Sequence, residues 1–367
     1  MKRRTFISGA AGATAAAAAA SSFPAPAIAQ GKQEWRMVTT WPKKFPGLGT
    51  GAERLAQRIT EMSDGRLTIK VYSAGELVPP FESFDAVQRG AAEMMHGAAY
   101  YWQGKSKAFN FFTGVPYGMT SNEIAAWMRH MGGQKLWDEA YAQFGLKGFM
   151  SGQTGVQAGG WFREEVNSLD DVKGLKFRTP GLGGDVWAKL GVATVNLPGG
   201  EIFQALQSGT IDAAEFVGPL TDLALGFHQV AKNYYWPSFN EPGLATEFTV
   251  NKAKYDALPK DLQRIIEVAA QADLEQMYSE FNARNADALD VLVNKHDVQV
   301  KSFSRDILMA AGKAAGEVIA ELRDGGDPLT KKVAESYVAA RKKLLNWSKI
   351  GDQAYYNARL LPFKYAE

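Results

Sequence analysis

Apolar and polar residues alternate with two periods in the first third of the chain, one typical of strands and one typical of helices. Strand-like stretches lie at 35–41, 67–72 and 92–99, and helix-like stretches lie at 52–62 and 84–89. In the first of these helices, Leu55, Ile59 and Met62 fall on one face, as the helical repeat requires. The order strand, helix, strand, helix, strand predicts a mostly parallel sheet with helices on its faces.

The same order recurs in the middle of the chain. Strands are predicted at 175–179, 193–197 and 211–217, and helices at 184–190 and 201–208. Residues 84–90 (FDAVQRG) resemble residues 203–209 (FQALQSG), although two amphipathic helices that stop at Gly can also resemble each other by chance. Two similar α/β units indicate two lobes with a cleft between them. Small-molecule sites favour such clefts and the carboxyl ends of parallel strands.

The last third of the chain is predicted to be helical. Helical periodicity covers 261–293, 305–321, 329–347 and 352–360. These helices either brace the two lobes or form a surface for a partner. The expected domains are 30–154 for the first segment of lobe I, 155–242 for lobe II, 243–304 for the return to lobe I and 305–367 for the C-terminal helices.

The N-terminus has the layout of a cleavable export signal. Three basic residues at 2–4 precede a run of small apolar residues at 9–20, and small residues at 27–29 suit a signal peptidase. The arginine pair in the basic cluster favours the twin-arginine route, with the Sec route as the alternative. The apolar run is too short and too rich in Ala to anchor the chain in a membrane. We therefore expect a signal at 1–29 and a mature chain that begins at Gln30.

Charge and composition exclude several classes of function. The 367-residue chain has 41 basic and 39 acidic residues, a formal charge of +2. Removal of residues 1–29 takes away three basic residues and no acidic one, so the formal charge of the mature chain is −1. Such a chain offers no electrostatic footprint for nucleic acid. The absence of Cys excludes disulfides and thiolate chemistry. The four His residues do not have zinc-hydrolase spacing, and the Gly-rich loop at 47–51 is interpreted as a helix entry.

Four polar residues stand where a ligand site is expected. Arg178 and Glu215 end predicted strands of the second unit. Gln157 closes the strand that leads into this unit, and Glu241 follows the segment that crosses back between the lobes. A guanidinium binds a carboxylate through two parallel hydrogen bonds. A carboxylate at the end of a buried strand needs a cation or an arginine to offset its desolvation.

Each of these residues also has a structural interpretation. Arg178 could pair with Asp185, Glu215 could be a solvated strand end, and the other two could be ordinary loop residues. Taken together, an amide oxygen and two carboxylates form a hard oxygen set that suits sodium or calcium. Such a cation would bind the carboxylate and an α-oxygen of an organic acid, while Arg178 holds the carboxylate from the other side.

The chain closely resembles the solute-binding proteins of tripartite ATP-independent periplasmic (TRAP) transporters of the DctP type. The resemblance covers nearly all of the mature chain and is greatest for the branch that binds α-keto acids or lactate with a cation. It is carried by GLKFR at 174–178, GTIDAAE at 209–215, HGAAYYW at 96–102, and YYWP at 234–237 followed by Glu241.

This resemblance implies a fold, a site and partners. The fold would be a two-lobed α/β periplasmic binding protein (type II-like), with hinge strands and extra C-terminal helices that exchange in a homodimer. Arg178 would grip the ligand carboxylate, with Gln157 also in contact with the ligand. The cation ligands would be Gln157, Glu215, Phe216 and Glu241, and the aromatic wall would be Tyr100, Tyr101 and Trp102. Phe216 stands where the α-keto-acid receptors are expected to have Trp. If this residue supplies only its backbone carbonyl, the cation site survives, but the changed side chain reshapes the pocket, so keto acids and lactate are not ranked.

We therefore expect a periplasmic receptor that has no catalytic cofactor. It would bind a small monocarboxylate with sodium or calcium and deliver it to the membrane permease subunits of a TRAP transporter. The monocarboxylate would be either an α-keto acid, such as pyruvate, or lactate. Two other classes remain open. An ABC-type receptor fits the Arg178 motif and the C-terminal helices less well. A periplasmic enzyme would need a general base, for which His96 is the candidate, but its Met-Met-His-Gly setting favours a packed strand residue.

Overall fold

A computed structural model describes residues 31–366, so the predicted export signal lies outside the described residues. The strands are β1 (Gln33–Thr39), β2 (Leu67–Tyr72), β3 (Met94–Gly97), β4 (Leu146–Gln153), β5 (Gly160–Phe162), β6 (Lys176–Arg178), β7 (Ala193–Val195), β8 (Ala213–Ala214), β9 (Asn233–Trp236), β10 (Ala245–Asn251) and β11 (Gln299–Ser302). The α-helices are α1 (Gly49–Met62), α2 (Ser83–Gln88), α3 (Ser121–His130), α4 (Gly133–Ala142), α5 (Leu169–Val172), α6 (Gly181–Lys189), α7 (Gly199–Gln207), α8 (Pro219–Leu225), α9 (Lys252–Asp256), α10 (Lys260–His296), α11 (Arg305–Gly325), α12 (Pro328–Ile350) and α13 (Asp352–Arg359).

The first sheet has the strand order β2-β1-β3-β10-β4. β1 pairs in parallel with β2 and β3, while β10 lies antiparallel between β3 and β4. Every residue of β3 is buried, and so are all but the last residue of β10, because these inner strands are covered on both faces. A strand from much later in the chain therefore completes the first sheet.

The second sheet has the strand order β11-β9-β5-β8-β6-β7. β6 is parallel to both β7 and β8, whereas β5 is antiparallel to β8 and β9. The strands of each predicted unit do pair in parallel, β1 with β2 and β3, and β6 with β7 and β8, but both sheets are mixed because β10 and β5 enter them in antiparallel direction. The antiparallel strands come from segments that arrive from the other sheet and enter in the opposite direction.

The chain passes between the sheets more than once. It leaves the first sheet after β4 to enter β5, and it returns from β9 to β10. Helix α10 has 37 residues, a length of about 55 Å at the α-helical rise. It packs against β4 and α1 of the first sheet's half and against α8, which follows β8 of the second sheet, so it contacts both halves of the molecule.

The C-terminal helices are anchored to the loop that precedes α3. The carboxylate of Asp327 accepts backbone hydrogen bonds in the first turn of α12 and caps it. Farther along α12, the Tyr337 hydroxyl accepts the N–H of Met119, and Arg341 donates to the carbonyl oxygen of Tyr117 at 2.7 Å. The final helix, α13, buries none of its residues. These helices therefore add a buttress whose outer end is exposed.

The two-sheet α/β architecture with added C-terminal helices confirms the predicted fold class. The predicted helices are present, with ends that differ by a few residues. The strand predicted at 211–217 shortens to β8, because only its centre pairs with neighbours. Within 243–304, the expected return to the first sheet, β10 joins the first sheet but β11 pairs with β9 of the second. Within 31–366, no helix is long and apolar enough to cross a membrane.

Candidate functional site

Arg178 and Glu215 are brought together by the pairing of β6 with β8. These strands are parallel neighbours and Arg178 is in register with Ala214, so Glu215 follows at the same edge of the sheet. Nη1 of Arg178 donates to the carbonyl oxygen of Glu215 at 2.6 Å and lies 3.9 Å from Oε2 of its carboxylate. Nε of Arg178 donates to the carbonyl oxygen of Leu197 at 3.0 Å. Both charged side chains are fully buried.

Gln157 and Glu241 lie on the two segments that cross between the sheets. The N–H of Gln157 donates to the carbonyl oxygen of Glu241 at 3.2 Å, and the N–H of Ser238 donates to that of Gln157 at 3.1 Å. The Ser238 hydroxyl accepts the N–H of Glu241 at 3.1 Å. The Gln157 amide nitrogen donates to the Thr154 hydroxyl at 3.0 Å, which fixes the direction of the amide oxygen. Backbone bonds thus hold the two buried side chains side by side.

Tyr100 and Tyr101 approach these residues from the side of the first sheet. They lie in the 3₁₀ turn Ala99–Trp102, directly after β3. Burial raises the pKa of both phenols; the charge of Glu241 adds to this effect and the charge of Arg178 opposes it, so the two tyrosines lie within electrostatic reach of both groups. Elements of both sheets therefore contribute to one group of buried residues. This group, called the polar cluster below, consists of Tyr100, Tyr101, Gln157, Arg178, Glu215 and Glu241.

Burial makes the charges of the polar cluster costly. Burial and the charge of Glu241 hold the pKa of Glu215 well above its ordinary value, against the opposing effect of Arg178. Burial likewise raises the pKa of Glu241 to about 8, against the opposing charge of Arg178. One guanidinium does not offset two buried carboxylates, so a second positive charge would stabilise their ionised forms.

Several buried atoms of the polar cluster have no hydrogen-bond partner among the described residues. They are Gln157 Oε1, both carboxylate oxygens of Glu215, Glu241 Oε2 and Arg178 Nη2. Leaving a buried polar group without a partner costs about 1–3 kcal/mol. The oxygens are the ligand type that sodium and calcium prefer, and the guanidinium nitrogen is a donor that suits a carboxylate. The donor set fits a hard cation together with an organic acid.

A cation in the polar cluster would rely on few acidic ligands. In the described part of the chain, no group of three or more His, Cys, Asp or Glu side chains is placed to hold a metal ion. Two carboxylates and an amide would need backbone or ligand oxygens to complete the coordination.

The ring of Phe216 lies against Arg178, with its centre 5.4 Å from the guanidinium carbon. The same ring lies 5.9 Å from the ring of Phe45. The role of the Phe216 carbonyl as a ligand stays a prediction.

Trp102 does not join the polar cluster. Its indole N–H donates to the carboxylate of Glu247 on β10, and its ring lies 5.7 Å from that of Phe84. The structure therefore assigns Trp102 to the core of the first sheet and not to the expected aromatic wall. The reason is that the buried carboxylate of Glu247 on β10 binds the indole within this core.

The contacts of His96 and Asp185 decide two further expectations. Nδ1 of His96 accepts the indole N–H of Trp41 at 2.8 Å, and its Nε2 lies 3.3 Å from the Ser151 hydroxyl. Burial lowers the pKa of His96 to about 3, which makes it a neutral, packed residue of β3. Asp185 lies 3.7 Å from Lys107, with both side chains partly exposed, so the alternative pairing of Arg178 with Asp185 is wrong.

Sequence reasoning missed Thr154, Thr179 and Asn240. Thr154 orients the Gln157 amide, and the other two carry buried polar atoms that have no partner within 31–366. Thr179 and Asn240 each stand beside a charged residue that the sequence did single out. That position is the one signal available, because Thr and Asn are common in turns for local reasons.

A surface cavity of about 580 Å³ lies apart from the polar cluster. Its lining includes Arg129, Lys147 and Glu267 but no member of the cluster. Lys147 is already paired with Asp138 at 2.9 Å, so this cavity lacks buried groups in need of a ligand. The enclosed polar cluster is the better candidate for a ligand site.

Two α/β sheets joined by crossing segments, with the enclosed polar cluster between them, define a two-lobed solute-binding protein. The chain belongs to the family described as bacterial extracellular solute-binding protein, family 7 (DctP), whose profile matches residues 37–324. This finding confirms membership of the TRAP solute-receptor family that the sequence motifs indicated.

Three similar proteins extend this assignment. The chain is 40% identical to the monocarboxylate 2-oxoacid-binding periplasmic protein of Nostoc sp. PCC 7120 over 97% of this chain and 98% of the relative. A TRAP periplasmic solute-binding protein from Pseudoalteromonas atlantica T6c, with bound sodium and pyruvate, is 41% identical, with a TM-score of 0.86 and coverage of 91% and 100%. One from Bordetella bronchiseptica RB50, a mixed-occupancy dimer with calcium and picolinate, is 33% identical, with a TM-score of 0.87 and coverage of 90% and 97%.

Proposed function

We propose that the protein is the periplasmic receptor of a TRAP transporter and binds a 2-oxo monocarboxylate, such as pyruvate, together with sodium or calcium. The observation that carries this proposal is the set of buried oxygens and one guanidinium nitrogen that have no partner among residues 31–366. The ligands of the similar proteins, pyruvate with sodium and picolinate with calcium, match this donor set.

Arg178 is the proposed carboxylate clamp. Its Nη1 and Nε are already bonded to the carbonyl oxygens of Glu215 and Leu197, which leaves Nη2 for the ligand. A guanidinium fixed in this way loses little freedom on binding. Tyr100 and Tyr101 cover the ligand, and Gln157 also contacts it. The proposed cation ligands are Gln157, Glu215, the carbonyl of Phe216 and Glu241. A bound cation supplies positive charge that offsets the two carboxylates and attracts the acid.

The charge of the polar cluster favours an acid with a single carboxylate. Two carboxylates and one guanidinium leave a net negative charge, which sodium neutralises and calcium reverses. A second carboxylate on the ligand would be buried without a matching cation. Dicarboxylates such as 2-oxoglutarate should therefore bind much more weakly than pyruvate.

Ligand entry requires the lobes to separate. Every member of the polar cluster except Tyr101 is at least nine-tenths buried, so the described conformation is a closed one. We take residues 30–154 with the return at 243–304 as lobe I, and 155–242 as lobe II, with the crossing segments at Gln157 and Glu241 as hinge. The ligand favours closure because it contacts both lobes only in the closed state.

Export and delivery follow from the same assignment. We place the mature chain in the periplasm after removal of a twin-arginine signal at 1–29. Its partners there would be the membrane permease subunits of the transporter. We propose no catalytic step, because the one candidate base, His96, is packed within the core by Trp41 and Ser151.

The C-terminal helices are the proposed dimer interface. Large apolar side chains on α12, α13 and the following tail are exposed, including Ile350 at 71% and Leu360 at 80%. Exposed apolar surface of this extent is typical of a protein interface. A second copy of the chain, with its C-terminal helices exchanged, would cover it.

Isothermal titration of the mature chain, refolded to remove any ligand that copurifies, tests the proposal. Pyruvate, 2-oxobutyrate, 2-oxoisovalerate, lactate and 2-oxoglutarate are titrated in buffers with sodium, with calcium, and with neither cation. Saturable binding of at least one monocarboxylate, dependent on a cation and weaker for 2-oxoglutarate, is the expected result.

The same samples separate the receptor from an enzyme. Recovery of the added acid unchanged after long incubation supports a receptor, whereas its consumption would refute this assignment. Binding that is independent of both cations would refute the proposed role of Glu215 and Glu241 while leaving the receptor intact.

A further inference from the structure

Asn240 and Thr179 are buried polar residues next to two members of the polar cluster. Asn240 precedes Glu241 and is 1% exposed, and Thr179 follows Arg178 and is 3% exposed. The amide nitrogen and oxygen of Asn240 and the hydroxyl of Thr179 have no hydrogen-bond partner in the part of the chain that the structure describes. Such atoms are rare inside folded proteins and take a partner from a ligand or from water.

The two side chains meet at the first turn of α6. A Cβ added to Gly183 would lie 3.1 Å from Cβ of Asn240, 3.3 Å from its amide carbon and 3.1 Å from Oγ1 of Thr179. Among the described residues no side chain caps α6, so the backbone N–H groups of its first turn are available at the same place. Tyr100 of the polar cluster packs on Gly181 of this turn, which places the turn at the border of the cluster.

The chemistry of these atoms selects the group that would satisfy them. The Asn240 amide donates and accepts, the Thr179 hydroxyl does both, and the helix start offers donors. A hydroxyl group matches this mixed set, because it also donates and accepts. An anion is disfavoured, since two carboxylates and the acid of the ligand already lie nearby. A methyl group would leave all three side-chain atoms without partners.

The geometry points to a second polar subsite, formed by Asn240, Thr179 and the first turn of α6, that receives a neutral hydroxyl group on the substituent of the bound 2-oxo acid. This inference rests on the proposed function, because the polar cluster must hold the head group of the acid. The receptor therefore selects a hydroxylated 2-oxo monocarboxylate over its apolar isostere. Gly183 lets Asn240 and Thr179 approach this turn closely, because a Cβ there would lie 3.1 Å from an atom of each.

A matched pair of ligands tests the subsite. 3-Hydroxypyruvate and 2-oxobutyrate differ only in a hydroxyl in place of a methyl group. Titration of the wild-type mature chain should show 3-hydroxypyruvate binding at least about tenfold more tightly than 2-oxobutyrate. Asn240→Leu and Thr179→Val, which are close to the native side chains in shape, should each reduce this ratio to about one. The affinity for pyruvate should change by less than about threefold in both variants.

Gly183→Ala removes no side chain and keeps an ordinary helical backbone conformation, while its Cβ presses on Asn240 and Thr179 at 3.1 Å and shifts them slightly. The added Cβ should lower the affinity for 3-hydroxypyruvate and 2-oxobutyrate more than the affinity for pyruvate. If the wild type binds the two isosteres with equal affinity, the buried atoms of Asn240 and Thr179 are satisfied by an ordered water molecule and not by the ligand. This result would overturn the subsite. Equal weakening of all three acids by Asn240→Leu and by Thr179→Val would also overturn it. If the wild type binds no 2-oxo acid, pyruvate included, the proposed function itself fails.

Discussion

Individual buried polar residues fall into two groups in this protein. Asp222 is fully buried, yet its carboxylate accepts hydrogen bonds from the Trp161 indole and the Tyr234 hydroxyl, each at 2.9 Å. Glu215 is equally buried, and its carboxylate oxygens have no hydrogen-bond partner among the described residues. Among the described residues, Glu215 is the buried carboxylate with both oxygens lacking a partner, and a bound cation would offset its desolvation.

Arg178→Lys separates the shape of the guanidinium from its charge. An ammonium group cannot bond to two carbonyl oxygens and also present a fixed N–H to the ligand. We expect the affinity for pyruvate to fall by about 100-fold, which corresponds to roughly 3 kcal/mol. Calorimetric titration measures this change, with Arg163→Lys, an exposed position in the same lobe, as the control. Unchanged affinity in Arg178→Lys would show that Arg178 does not clamp the acid.

The free energy of unfolding should depend on pH through the buried carboxyl group of Glu247. Burial raises the pKa of Glu247 to about 7, against hydrogen bonds from Tyr141, Trp102 and Thr249. Because the folded pKa lies above the ordinary value of 4.5, the folded state binds the proton more tightly. The resulting stabilisation is complete below pH 4.5 and is lost as the pH rises through about 7.

Glu247→Gln tests this dependence, because the amide keeps the shape of the protonated acid and does not titrate. The difference in free energy of unfolding, wild type minus variant, should fall by about 2–3 kcal/mol between pH 4.5 and pH 8. Urea unfolding at a series of pH values measures it. The difference isolates Glu247 from Asp222 and Asp273, whose pKa values burial raises to about 6 in each case. A difference that stays constant with pH would contradict the assignment.

Helix α10 connects the parts of the molecule through both apolar and charged contacts. Met277 and Phe281 of α10 pack in the core, while Arg54 of α1 pairs with Asp273 at 2.7 Å and Glu280 at 2.9 Å. Asp273 is fully buried, so these ion pairs are shielded from water. Such pairs tie two helices in a fixed orientation, because a buried carboxylate without its partner is strongly disfavoured.

Arg54→Ala should therefore destabilise the protein by about 3 kcal/mol, since it leaves Asp273 buried with only Arg58 at 3.6 Å. Arg264→Ala is the matched control, because the Arg264 pair with Glu267 lies within one helix and is exposed. This control should cost less than about 0.5 kcal/mol. Urea unfolding of both variants at pH 7 gives the comparison. Similar losses in the two variants would refute a special role of the α1–α10 pairs.

The molecule as a whole should change shape when it binds its ligand. The polar cluster draws Tyr100 from the first sheet and Arg178 from the second, so ligand contacts on both sides favour the closed form. Small-angle scattering of the ligand-free mature chain should give a larger radius of gyration than the same chain with pyruvate and a cation. Arg178→Ala, as the control, should show no decrease on addition of pyruvate. An identical radius in wild type with and without ligand would contradict lobe closure.

Assembly is predicted to depend on the exposed C-terminal surface. The double variant Ile350→Lys with Leu360→Lys should convert the dimer into a monomer, because a charge buried in an apolar interface is not compensated. Val293→Lys, at a position on α10 that is 38% exposed, should remain dimeric. Analytical ultracentrifugation measures the state. Pyruvate affinity should change by less than about threefold in either variant, since none of the substituted side chains belongs to the polar cluster. A monomeric wild type would refute the proposed interface.

The amino-acid sequence by itself determined the local features of this protein. Helical and strand periods along the chain predicted most elements and their order, since these patterns depend on neighbouring residues. Strand ends marked Arg178 and Glu215, and parallel pairing places such ends at one sheet edge. The packed nature of His96 was likewise evident from its apolar surroundings.

Only the tertiary structure decided which distant segments meet. It placed β10 antiparallel between β3 and β4, moved β11 to the second sheet, and assigned the Trp102 indole to the core through Glu247. It also showed which buried atoms of Gln157, Glu241 and Asn240 are left without partners among the described residues. The physical reason is that these outcomes depend on side chains from elements far apart in sequence, whose pairing and burial no local pattern records.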